Sequence, residues 1–185
     1  MIDLCTSYLT DHCLSFNTKK SKVMIFGKPK TDAKPLTVDG IPLDFVNEWK
    51  YLGTTIAGGK SFSFTARPDI SSFFRATNAV INVLTNAHEH TLLYLLHTNC
   101  VPILTYACEV KQYSASDMSD CNVAVNSAFR KIFGFTDWRS IRELRDTFCF
   151  ESLYVIFKRA QDKFSRKCLV HSNAIIQFLA TLALG

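Results

Sequence analysis

The chain has 185 residues, 48% apolar and 20% charged, which excludes a disordered tail and supplies core for one domain or two small ones. Its net charge of +5 permits a nucleic-acid partner without demanding one. Seven scattered cysteines with no Cys-x-x-Cys pair argue against a structural zinc site or a thioredoxin-like motif. They favour reduced thiols in an intracellular protein, cytoplasmic or nuclear, with no disulfide-linked partner.

Ile2 to Cys13 has helical spacing, with Ile2, Cys5, Leu9 and Cys13 on one face. No capping residue precedes it, so the chain reads as starting inside a helix, as a fragment would. No signal peptide is expected. Leu14–Phe16 and Val23–Phe26 are strand candidates, the second buried, around a polar turn bearing Lys19, Lys20 and Lys22. Gly27 ends the second strand, and 28–35 reads as a polar loop. Asp39-Gly40 between short apolar runs predicts a hairpin, and Pro42 assigns its strand to an edge. Trp49 to Ile56 predicts two short strands bent at Gly53. Gly58-Gly59 is expected to close the β-rich part.

From Pro68 the period becomes helical. Ile70, Phe73, Phe74, Thr77, Val80, Ile81 and Leu84 follow i, i+3, i+4, i+7 spacing. Thr91 to Cys108 is too interrupted by His97, Asn99 and Pro102 to span a membrane, and reads as a buried helix pair. Ser116 is the expected N-cap of the next helix, with Asp117 and Asp120 in its first turn and Gly134 as its stop. Ser140-Ile141-Arg142-Glu143 predicts a capping box. Leu153 to Phe164 predicts a last long helix, followed by an apolar tail. The expected fold class is α+β: a small partial β-sheet with one helix over 1–60, then an all-helical region over 61–185.

No strand candidate carries the paired carboxylates that two-metal nucleotidyl transfer requires. Asp117 and Asp120 suit a helix dipole better than a metal. His88-Glu89-His90 reads as a solvated turn. No Ser/His/Asp signature, Cys/His signature or Gly-rich phosphate loop is present. Basic clusters are the informative feature. Arg139, Arg142 and Arg145 share one helix face. Arg159, Lys163, Arg166 and Lys167 share another, with Lys158 alongside and Asp146 and Asp162 diluting them. Such stripes neutralise phosphates without reading sequence, although any soluble helix also shows a charged outer face.

Leu14-Ser-Phe-Asn-Thr-Lys-Lys-Ser-Lys22 followed by an apolar run, then Val38-Asp39-Gly40 and Trp49-Lys50-Tyr51-Leu52-Gly53, resembles the reverse transcriptases of non-LTR (LINE-type) retrotransposons. Cys100 to Glu109 and Phe129 to Gly134 are similar to the helices that follow the polymerase in the same elements. The resemblance covers most of the chain in one order, through short motifs of modest individual specificity. It implies that 1–60 is the end of a palm with its primer-grip hairpin, and that 61–185 is a thumb and post-polymerase region. Lys20 would be the lysine of the fourth polymerase motif, a general acid for the leaving pyrophosphate, with Lys19 and Lys22 as alternatives. Tyr51, Leu52 and Gly53 would hold the primer end, and the basic helix faces would grip the template–primer duplex.

The chain departs from that family in lacking the strands of the catalytic aspartates, the fingers, the amino-terminal endonuclease and a zinc knuckle. The resemblance thus implies a fragment of an RNA-directed DNA polymerase, a nucleotidyltransferase inactive alone. An RNA template and a DNA primer would be partners of the parent enzyme. No cofactor is expected in this chain, magnesium belonging to the intact parent, and no membrane is expected. One alternative is a non-catalytic module that binds nucleic acid irrespective of sequence. A second is a helical scaffold with a coincidental match, which predicts no hairpin at Asp39-Gly40.

Overall fold

A computed structural model describes residues 2–27, 35–135 and 141–184. The fold is α+β, and it divides into two compact units, 1–65 and 66–185.

The first unit opens with helix α1 (Ile2–Asp11), none of whose residues is buried. Cys13 turns the chain with φ 56°. The expected strand at Leu14–Phe16 does not form, and the segment is irregular. Val23–Phe26 is likewise no buried strand. It makes two isolated parallel bridges, Val23 with Phe45 and Phe26 with Gly59, and Ile25 and Phe26 are exposed. An apolar run forms a buried strand only where two faces are covered, and here they are not.

The Asp39-Gly40 hairpin forms as the sequence predicts. Strands β1 (Thr37–Val38) and β2 (Ile41–Pro42) flank the two residues, whose φ values are 51° and 75°. Positive φ at both positions defines the turn whose twist matches its strands. The scaffold reading expects no hairpin here, and one is present. Strands β3 (Glu48–Tyr51) and β4 (Thr54–Ala57) form a second hairpin, pairing Trp49 with Ile56 and Tyr51 with Thr54. The sheet does not close at Gly58-Gly59. It continues through β5 (Ser63–Phe64), which pairs with the end of β4. Phe62 packs on Phe26 and Phe64 there, with ring centroids 5.5 and 5.1 Å apart. Side chains from outside the ladder hold this edge, which local pattern does not reveal. Gly58 is required: a Cβ would lie 3.1 Å from the Met24 side chain and 3.2 Å from the Ile25 carbonyl.

The second unit is helical. Helix α2 (Arg67–Val83) starts with Pro in its first turn and buries Phe73 and Thr77. Helix α3 (Glu89–Leu95) passes into a π turn, Leu96–Cys100, and then α4 (Val101–Thr105). Pro102 brings no N–H, so the helical ladder cannot run through it unaltered. Helix α5 (Ala115–Phe133) is capped by Ser114, not Ser116. The Ser114 hydroxyl accepts from the Asp117 N–H at 3.1 Å and donates to the Asp117 carboxylate at 2.5 Å. Ser114 has Asp117 three residues on, the capping-box spacing, whereas Ser116 has Ser119 there. Gly134 ends α5 in the left-handed conformation, φ 67°.

The Ser140 side of the expected capping box lies outside the described residues; α6 spans Arg142–Thr147. Helix α7 (Leu153–Leu169) buries Leu153 and Phe157, and the apolar tail forms α8 (Ala174–Leu184), which packs on α7. Phe73, Leu96, Leu104, Val125, Phe129 and Leu153 form the centre of the core of this unit. Each fully buried aliphatic or aromatic side chain here stabilises by about 1.5–3 kcal/mol.

Candidate nucleic-acid interface

In the first unit the expected lysine turn is built by Asn17. Its backbone carbonyl accepts from the N–H groups of Lys20 and Ser21 at 3.0 and 2.9 Å, and from the Ser21 hydroxyl at 2.9 Å. Its side-chain oxygen accepts from the Lys20 N–H at 3.1 Å. The Asn-x-x-Lys-Ser spacing therefore has a local cause, since Asn side chains stabilise turns by bonding backbone a few residues on. Lys19 and Lys20 project from this turn and are exposed. Lys22 is different. Its ammonium pairs with the Asp44 carboxylate and lies 5.7 Å from the centre of the Trp49 ring. It ties the turn to β3 rather than offering a free charge. Backbone bonds from Val23 N–H to the Asp44 carbonyl (3.0 Å) and from Val46 N–H to the Val23 carbonyl (2.9 Å) fix the same junction.

Tyr51, Leu52 and Gly53 stand at the tip of the β3–β4 hairpin. Tyr51 and Leu52 are 60% and 75% exposed. Leu52 and Gly53 carry φ values of 46° and 79°. Glycine takes this conformation freely, whereas leucine holds it at a cost of about 1–2 kcal/mol. An exposed aromatic ring beside a bare backbone is a surface on which nucleic acid can approach closely.

In the second unit the predicted arginines divide. Arg139 lies outside the described residues. Arg142 is exposed on α6. Arg145 turns inward. It donates to the Asn126 side chain at 2.9 Å and the Glu151 carbonyl at 3.2 Å, and lies 5.6 Å from the Phe150 ring. Burial lowers its pKa, opposed by Asp146. Arg159 makes a two-pronged pair with Glu151, at 3.1 and 2.5 Å. Lys158 pairs with Asp162 at 3.4 Å. Lys163 and Lys167 are exposed and make no ion pair with any described residue. The arginine stripe of α6 is thus partly structural, and the stripe of α7 keeps exposed, unpaired lysines.

The sequence reading missed a buried cluster. The Lys111 ammonium, 1% exposed, pairs with Asp69 at 2.7 Å and faces the rings of Tyr106 and Tyr113 at 5.7 and 5.6 Å. The Tyr113 hydroxyl donates to the same Asp69 oxygen at 2.7 Å. Burial, then its bond to Asp69, pushes the Tyr113 hydroxyl pKa well up. The cluster joins the first turn of α2 to the segment after α4, and its partners are too far apart in sequence for any spacing rule. A buried, partnered lysine of this kind is structural, since its charge is already satisfied.

Asp117 is engaged in the α5 cap, and no group of three or more His, Cys, Asp and Glu side chains among the described residues is arranged to hold a metal. His88 caps α3 by accepting the His90 N–H at 3.3 Å. All seven cysteines are free, and no described helix is long and apolar enough to cross a membrane. No family model matches this chain, and neither does any curated protein or solved structure.

Proposed function

We propose that the chain is the palm end, primer grip and thumb of a non-LTR retrotransposon reverse transcriptase, able to hold nucleic acid but not to polymerise it alone. The observation that carries this reading is the β3–β4 hairpin, which offers Tyr51, Leu52 and Gly53 at an exposed tip. The tip sets an aromatic ring beside a leucine and a glycine that both hold positive φ. The Asn17 turn supports the reading by displaying Lys19 and Lys20. In the intact enzyme Lys20 would meet the triphosphate, with magnesium and the catalytic aspartates supplied from elsewhere. Phosphoryl transfer depends on metal-held oxygens, which a lysine cannot replace.

Primer extension on RNA and DNA templates, with magnesium and deoxynucleoside triphosphates, tests the reading. The purified chain is expected to give none, and magnesium-dependent extension would overturn the inactivity. The second reading, a non-catalytic binding module, is favoured by the unpaired lysines of α7. A salt titration tests binding: phosphate contacts predict affinity falling steeply and linearly in log–log form. No binding at low salt would refute both the module and the grip.

A further inference from the structure

Three hollows on the helical unit are linked through shared walls. The first, about 310 Å³, is lined by His90, Tyr94, His97, Phe148, Cys149 and Phe150. The second, about 380 Å³, shares His97 and adds Glu151, Arg159 and Lys163. The third, about 610 Å³, shares Arg159 and Lys163 and adds Arg166 and Lys167.

Two helix periodicities create this track. His90, Tyr94 and His97 recur at i, i+4, i+7, so one face of α3 and the π turn presents three rings. The spacing of Arg159, Lys163, Arg166 and Lys167 does the same with cations on α7. Each run is about 10–12 Å long at 1.5 Å per residue. Two of the rings are buttressed: His90 stacks on His88 at 5.4 Å and stands edge-on to Phe148 at 5.2 Å, and His97 stands edge-on to Phe150 at 5.6 Å. His97 also sits in the π turn, a departure from α geometry that is frequent at functional sites. At the joint between aromatic and basic ends Glu151 occupies Arg159.

We propose that this track binds a single strand of nucleic acid, with unpaired bases on His90, Tyr94 and His97 and phosphates along Arg159, Lys163 and Lys167. A basic groove joined to exposed rings is the arrangement that single strands use, because every base offers a π face. A duplex keeps those faces within its own stack and would use only the cations. Glu151 acts as a competitor that an incoming phosphate displaces from Arg159. The proposal rests on the nucleic-acid-binding reading above and narrows it to an unpaired strand.

Fluorescence anisotropy on the full chain tests it, with labelled oligothymidine, oligouridine of equal length, and a blunt duplex. Single strands are expected to bind at least about tenfold tighter than duplex. The oligouridine and oligothymidine arms tell RNA from DNA. Tyr94→Ala and His97→Ala should each weaken single-strand binding about tenfold and leave duplex binding unchanged. Glu151→Gln should tighten single-strand binding by about threefold, more than the equal charge change Glu109→Gln outside the track. Bound oligothymidine should slow alkylation of Cys149 in the unaltered chain and leave exposed Cys5 and Cys13 unprotected. Duplex binding as tight as single-strand binding, with ring variants silent, would overturn the track and leave the duplex grip standing. Absence of binding to any probe at low salt would overturn both.

Discussion

Leu52 occupies the first turn position of the β3–β4 hairpin with φ 46°, a place that Asn or Asp fills more favourably. Asp39 does so in the equivalent position of the other hairpin. Leu52→Asn should therefore stabilise the first unit by about 1 kcal/mol. If the tip holds a primer, the same change should weaken nucleic-acid binding. Opposite movements of the urea midpoint and the affinity would mark a residue kept for contact; affinity unchanged would make Leu52 a turn residue only. Lys111 behaves differently, because its surroundings are closed. Lys111→Met would leave the Asp69 carboxylate, 15% exposed, with only the Tyr113 hydroxyl. Removing one partner of a buried pair costs about 3 kcal/mol, seen as a lower urea midpoint at unchanged slope. The added change Asp69→Asn should restore part of the loss, since the stranded charge goes with it. Sequence could reveal the first of these residues and not the second. Leu-Gly between strand-forming runs marks a turn locally, whereas the lysine meets its partner only through the fold.

At the scale of elements, the long helices are legible, the helix α8 of the apolar tail is not, and the strands are only partly so. The α2, α5 and α7 periods follow from burial on one face, which each helix carries in its own sequence. The Asp-Gly and Leu-Gly hairpins were legible for the same reason, since turn chemistry is local. Leu14–Phe16 and β5 depart from the local pattern because strand pairing depends on a distant partner: Leu14–Phe16 has none among the described residues, and β5 finds one in β4. The α3 ring stripe is masked in the sequence because its period coincides with that of the Leu92, Leu93 and Leu96 core face beside it.

Helix α5 also yields a pH prediction. Cys121 on its buried face has its thiol pKa lifted from about 9 to about 12, by burial first and then by Asp117, Asp69 and Asp120. The folded chain keeps this proton where the unfolded chain has lost it. Stability is thus fully present below about pH 9 and declines as pH rises toward about 12, by at most about 4 kcal/mol from this group. Burial also raises Cys100 and Cys108, and burial with the Asp69 bond raises Tyr113, all with the same sign. Urea unfolding at stepped alkaline pH should show the decline, and Cys121→Ala should reduce its slope by about one proton. An unchanged slope in that variant would assign the decline to the other groups.

Across the whole molecule, apolar content and burial part company. Among the described residues of the first unit only Val38 and Thr54 are buried. Leu4, Ile25, Phe26, Phe45 and Phe62 remain exposed there. The second unit encloses a continuous core from Ala66 to Leu153. Apolar burial is the main favourable term in folding, and local opening is cheapest where few apolar contacts are lost. Hydrogen exchange on the full chain should therefore find the amides of β3 and β4 exchanging far faster than those of α2 and α5. The same difference should direct proteolysis to the first unit. Equal protection would mean that the hairpins draw stability from contacts beyond their own unit. If the first unit is a polymerase palm end, its exposed side chains are the surface on which the rest of the palm would pack. Protection of β3 and β4 should then rise when a polypeptide carrying the missing palm strands is added, while α2 and α5 stay as they were. No gain on addition would leave the exposed apolar side chains without that partner and count against the palm assignment itself.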